Sequence, residues 1–174
     1  IHEIIRQKKR GLHSTMSGMT DGVDLLVGAG CIDRLELSWH GREILGLANC
    51  IRRAVEKGIP HSIEIEDYSN LGIPFMPVKS LLGSDIAKLS TFRGEKKVKI
   101  IDCPFTGEKV ALVPALKTDV SIIQAMRADR EGNVQMWGCT ADAAWGLKAA
   151  EKVIATVEEI VDNEIIRADP NRTV

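Results

Sequence analysis

Between residues 43 and 66 the hydrophobic period of the chain switches from that of a helix to that of a strand, and this switch constrains the fold more than any other feature. Ile44, Leu47, Ala48, Ile51, Ala54 and Val55 recur at three-and-four spacing within Glu43 to Lys57, which places them on one face of an amphipathic helix. Gly58 and Pro60 then stop the helical pattern. Ser62-Ile63-Glu64-Ile65-Glu66 follows at a period of two, the pattern of a half-buried strand. A helix that feeds a strand must lay its apolar stripe against a sheet, so the expected layers are helices on strands with parallel crossovers.

The same alternation runs along the rest of the chain. Ile1, Ile4 and Ile5 share one face of a helix predicted within Ile1 to Arg10. Asp21 to Gly30 reads as a short helix closed by glycines, and Cys31 to Ser38 as a strand carrying Ile32, Leu35 and Leu37 among polar residues. Val98 to Asp102 and Glu108 to Leu112 flank Cys103-Pro104-Phe105-Thr106-Gly107, the spacing of an antiparallel hairpin with a longer loop. Asp119 to Ala125 is a dense apolar strand, Ala141 to Lys152 an alanine-rich helix, and Lys152 to Val157 a final core strand. Arg167 to Val174 is a polar tail expected on the surface. The expectation is a single α/β domain over 1–174, with a mixed, mostly parallel sheet flanked by helices.

Composition narrows the class. Of 174 residues, 44% are hydrophobic and 27% charged, with a net charge of −1, the profile of an ordinary globular domain that needs no disulfide or metal to hold it together. Arg6-Gln7-Lys8-Lys9-Arg10 is the one dense cationic run and is short, which argues against nucleic-acid binding. Apolar runs fall far short of the roughly 20 residues a membrane span needs, and no cleavable signal is visible, so a cytoplasmic location is expected. Cys31, Cys50, Cys103 and Cys139 are scattered, as are His2, His13, His40 and His61. Reduced structural thiols and no metal site are therefore expected.

Glu64, Glu66 and Asp67, followed by Tyr68, Ser69 and Asn70, form the densest group of carboxylates, hydroxyls and amide. They fall where a strand ends, the place at which open α/β sheets bind ligands. On a strand Glu64 and Glu66 share a face and Asp67 points the other way, so the group cannot serve one task. On residue pattern alone, a solvated strand end with a turn of Asp, Ser and Asn is the favoured reading of the same residues. Ser14 to Gly22 reads as a polar loop of small residues before a helix, able to meet a carboxylate or phosphate or simply to cap the helix through Thr20 or Asp21. Gly83-Ser84-Asp85 and Gly132-Asn133 read first as turns. Lys117 and Asp119 open the strand that Gln124, Arg127 and Asp129 close, and either pair within it or hold an anion.

Four stretches in order carry a resemblance: Asp24 to Ile32; Glu66-Asp67-Tyr68-Ser69-Asn70; Gly72 to Ser80 with Leu82-Gly83-Ser84-Asp85; and Pro114 to Asp119 with Ala128-Asp129 and Gly132-Asn133. On these the chain resembles the A-type (alpha) subunits of the family I CoA-transferases, in the branch typified by glutaconate CoA-transferase. The resemblance implies a subunit paired with a B-type CoA-transferase subunit, with the acyl-CoA cleft between them, no permanently bound cofactor, and coenzyme A as substrate. It implies a covalent, ping-pong transfer between carboxylic acids through a glutamyl-CoA intermediate on the partner. It carries Glu66 and Asp67 over as catalytic candidates, and Ser14, Thr15, Ser17, Gly18, Ser69, Asn70, Ser80 and Ser84 as residues lining the cleft. A related branch, acyl-CoA hydrolases that open a ring in steroid degradation, uses an acidic residue in the segment matching Glu66-Asp67. A non-catalytic acyl-CoA-binding or structural subunit is the third reading. The family's glycine-rich loop and terminal segments do not occur here, so the chain is expected to lack pieces of the full subunit.

Overall fold

The computed structural model describes residues 1–18, 21–41, 46–68, 81–83, 99–112, 115, 117–140 and 143–174. Contacts divide the chain into two compact units, residues 1–73 with 81–113 and residues 74–80 with 114–174.

The first unit opens with helix α1 (His2–Arg6), strand β1 (Leu12–Gly18), helix α2 (Asp21–Gly28), strand β2 (Ile32–Trp39), helix α3 (Asn49–Lys57) and strand β3 (Glu64–Asp67). The three strands form a parallel sheet in the order β1-β2-β3. The alternation of helix and strand in the sequence is thus realised as crossovers, and their apolar faces meet in one core. Ile32, Leu35 and Leu37 of β2 pack against Val23, Leu26 and Val27 of α2 and Ile51 and Ala54 of α3. Glycine ends both helices: Gly30 (φ 72°) lets the Cys31 amide return to the Leu26 carbonyl at 2.9 Å, and Gly58 (φ 63°) donates to the Ala54 carbonyl. Both are left-handed positions that a residue with a Cβ occupies at a cost.

Strands β4 (Leu81–Gly83), β5 (Lys99–Asp102) and β6 (Lys109–Leu112) make a separate antiparallel sheet in the order β4-β6-β5. The β5–β6 hairpin is the one that the sequence predicts, its loop turning at Gly107 (φ 74°).

The second unit holds β7 (Thr118–Ala128), β8 (Val134–Gln135), helix α4 (Ala143–Ala149), β9 (Ala150–Ile160), helix α5 (Asn163–Ala168) and a 3-10 turn at Pro170–Arg172. Strand β7 pairs parallel with β9 and antiparallel with β8. Mixed strand directions, expected from the hairpin spacing, are therefore present in an α/β architecture.

Several local expectations change. Residues 14–18, read as a loop, are part of β1, because parallel pairing with β2 satisfies their backbone. Helix α3 begins at Asn49 rather than Glu43; Gly46 (φ 90°) and a Gly41–Leu47 bridge precede it, and residues 42–45 lie outside the described residues. Helix α1 stops at Arg6. Helix α4 stops at Ala149 because Ala150 enters register with Thr118. Strand β9 contributes Ala155 and Val157 to the core as expected, but among the described residues it is the edge of its sheet, with Ile154 and Ile160 more than half exposed. The tail is tied down, since the buried Gln135 amide donates to the Ile166 and Asp169 carbonyls at 3.0 and 2.7 Å. All four cysteines are free, and no described helix is long and apolar enough to cross a membrane.

Candidate functional site

Parallel strands bring their carboxyl ends to one edge of a sheet, and in the first unit that edge holds Gly18, Trp39 and Asp67. Register then decides which side chains meet. His13 lies opposite Arg34 and Arg34 opposite Glu64; one step on, Thr15 lies opposite Glu36 and Glu36 opposite Glu66. Since side chains alternate along a strand, these six share the face away from α2 and α3.

On this face Arg34 gathers three carboxylates. Its guanidinium is 3.2 Å from Glu36, 3.6 Å from Glu64 and in short contact with Glu66. The second Glu66 oxygen accepts the Tyr68 hydroxyl at 2.9 Å. Glu36 has a side chain only 4% exposed, with His13 Nε2 at 3.3 Å and the Thr15 hydroxyl at 3.5 Å. Burial alone pushes the Arg34 guanidinium pKa down, but the Glu66 hydrogen bond and the charges of Glu64, Glu66 and Glu36 outweigh it, and the net direction is up.

Asp67 stands apart, as its place on the strand predicts. It is exposed and borders a cavity of about 520 Å³ on the α3 side, with Leu47, Ile51, Val55 and Ile65 as apolar lining and His40, Arg52 and Glu56 at its rim. Arg52 is engaged by Glu56 at 2.8 Å. The cavity can take an apolar chain with a polar end, and Asp67 is the carboxylate that would face it.

Of the residues expected to line a site, Thr15 joins the polar face, whereas Ser14, paired with Leu35, points to the opposite one. Ser17 accepts a short hydrogen bond from the Ser38 hydroxyl through its carbonyl, and Gly18 ends β1 beside Trp39. Ser69, Asn70, Ser80 and Ser84 lie outside the described residues. The sequence reading missed Arg34, Glu36 and His13. Arg34 and Glu36 stood in the sequence as two opposite charges two apart, alternating with the apolar Leu35 and Leu37. No group of three or more His, Cys, Asp or Glu side chains suited to a metal occurs among the described residues.

Comparison with known proteins agrees with this architecture. A family model described as coenzyme A transferase matches residues 1–174. The A-type subunit of 3-oxoadipate CoA-transferase from Pseudomonas knackmussii is 41% identical over 173 residues, covering 93% of this chain and 60% of that protein. The A-type subunit of glutaconate CoA-transferase from Acidaminococcus fermentans is 31% identical over 194 residues, covering 99% and 60%. The crystal structure of glutaconate coenzyme A-transferase from the same organism superposes with a TM-score of 0.79 at 28% identity, over 98% of this chain and 60% of that one. The chain thus spans about 60% of the length of these relatives.

Proposed function

The chain belongs to the coenzyme A transferase family, and from that premise we propose that it is the A-type part of a two-subunit CoA-transferase, moving CoA between carboxylic acids in the cytoplasm. The observation that carries this reading is the 41% identity to the A-type half of 3-oxoadipate CoA-transferase across 93% of the chain.

The chemistry runs through the partner. A glutamate of the B-type partner attacks the thioester carbonyl, so that an acyl-glutamyl anhydride forms as CoA leaves as thiolate. The thiolate then attacks the glutamyl carbonyl, giving a glutamyl thioester and releasing the first acid; the second acid reverses both steps. Neither metal nor redox change enters the balance. This chain's share is the wall and the donors: the cavity beside Asp67 receives the acyl chain, and the hydroxyls of the β1 edge face the thioester oxygen. Geometry supports placing the nucleophile elsewhere. Both oxygens of Glu66 already accept donors, which lowers their nucleophilicity and suits Glu66 to an orienting or acid–base task.

The test is co-expression with a B-type partner, followed by an assay of acyl-CoA with and without an acceptor acid. Transfer to the acceptor, with hydroxylamine trapping an activated glutamate on the partner, is expected. Release of free CoA without acceptor, abolished by Asp67→Asn, would instead establish an acyl-CoA hydrolase. Absence of any turnover by a stable complex would leave the chain an acyl-CoA-binding or structural subunit.

A further inference from the structure

Three carboxylates share one sheet face with a single guanidinium, and the arrangement sorts them. Neighbouring strands are about 4.8 Å apart, so Glu36 on β2 and Glu64 and Glu66 on β3 repel one another unless a cation stands between them. Arg34 is that cation, in reach of all three. Its Nε is shielded from water and meets no hydrogen-bond partner among the described residues. The guanidinium is therefore held by its carboxylate contacts through the two terminal nitrogens and by no anchor at its base. Glu36 is the buried member, with His13 and Thr15 of β1 against it. Glu64 is the outer and most weakly held. Glu66 is nearest the carboxyl end of β3, where ligands approach a parallel sheet, and it alone is also held by Tyr68.

We propose that Arg34 is a positioning residue, fixing the orientation and the charge of Glu66 for acyl transfer at the carboxyl end of β3; the proposal rests on the function inferred above. The two donors grip different oxygens of the same carboxylate, Tyr68 along the strand and Arg34 from the neighbouring strand. Together they constrain the orientation of the Glu66 carboxylate. A guanidinium serves here where an ammonium does not, because only its planar fork reaches carboxylates on two strands at once.

The experiment compares wild type, Arg34→Met and Arg34→Lys as complexes with the B-type partner. With Arg34→Met, kcat for CoA transfer is expected to fall at least about tenfold and the acidic limb of its pH profile to move up by about one pH unit, the effect of removing a cation beside carboxylates. KM for the acyl-CoA should change by less than about threefold, since an orienting group acts mainly on the reacting state. Arg34→Lys should keep the acidic limb in place while kcat stays reduced, because it restores charge but not the fork. A purely structural Arg34 would lower stability and leave the limb where it is in both variants, and that result overturns the proposal. If Arg34→Met fails to fold, Arg34→Lys decides alone, and full wild-type kcat in that variant overturns the proposal. Lack of CoA transfer in the wild-type complex would refute the function itself, so the two failures remain distinguishable.

Discussion

Asp129 closes the turn between β7 and β8 with a carboxylate that is saturated by donors. One oxygen accepts the Glu131 and Asn133 amides, each at 2.9 Å, and the other the side-chain amides of Asn133 and Asn163, each at 2.7 Å. The Asn133 side chain contributes most to lowering its pKa from 3.8 to about 2, against the opposing effect of burial. Because the folded value lies below the unfolded one, the stabilisation is present above about pH 4 and is lost as pH falls toward about 2. Circular dichroism across that window should show the wild type losing stability with acid more steeply than Asp129→Asn; equal slopes would contradict this account. The sequence marked Gly132-Asn133 as a turn, correctly, because Gly132 has φ 92°. It did not reveal that Asn163, 34 residues on, completes the carboxylate's shell. Arg34 and Glu36 were legible only as a pair of charges within one strand, since their contacts with His13, Thr15, Glu64 and Glu66 reach to other strands.

At the scale of elements, α3 shows how one helix borrows its cap from another. Ala48 at its N-cap makes no side-chain capping bond. Instead Asp24 of α2 accepts the Cys50 and Ile51 amides, each at 2.9 Å, and places a negative charge at the helix start. Asp24→Ala is expected to cost about 1–2 kcal/mol in urea unfolding, the usual loss for a cap. The helices also approach closely, for a Cβ built on Gly28 would stand 2.7 Å from Cys50 Sγ. Gly28→Ala should therefore destabilise by about 1–3 kcal/mol, and Cys50→Ala in the same chain should recover most of that loss. The existence and order of these elements were readable from periodicity and glycine stops. Their ends were not: Ala149 to Ala150 changes from helix to strand because β7 supplies a pairing partner, which local propensity does not encode.

For the whole molecule, the notable surface is the face of β7 and β9 that carries Val120, Ile122, Ile154 and Ile160, each about half exposed. Ile122 and Ile154 are register partners, and exposed apolar surface of this kind binds hydrophobic dyes and promotes association. The isolated chain should enhance anilinonaphthalene sulfonate fluorescence, and Ile122→Asp with Ile154→Asp should remove at least about half of that signal; an unchanged signal would place the dye elsewhere. What the sequence by itself determined was the α/β class, the helix–strand alternation of α2, β2, α3 and β3, the hairpin, and the opposite facing of Glu66 and Asp67, because all of these follow from the period of neighbouring residues along one chain. Only the tertiary structure decided the strand register that gathers His13, Arg34, Glu36 and Glu66 on one face, the cap that Asp24 lends to α3, and the cavity beside Asp67. The physical reason is that register, capping between helices and cavity shape are contacts between residues distant in sequence, chosen by how the apolar faces pack and not by any local pattern.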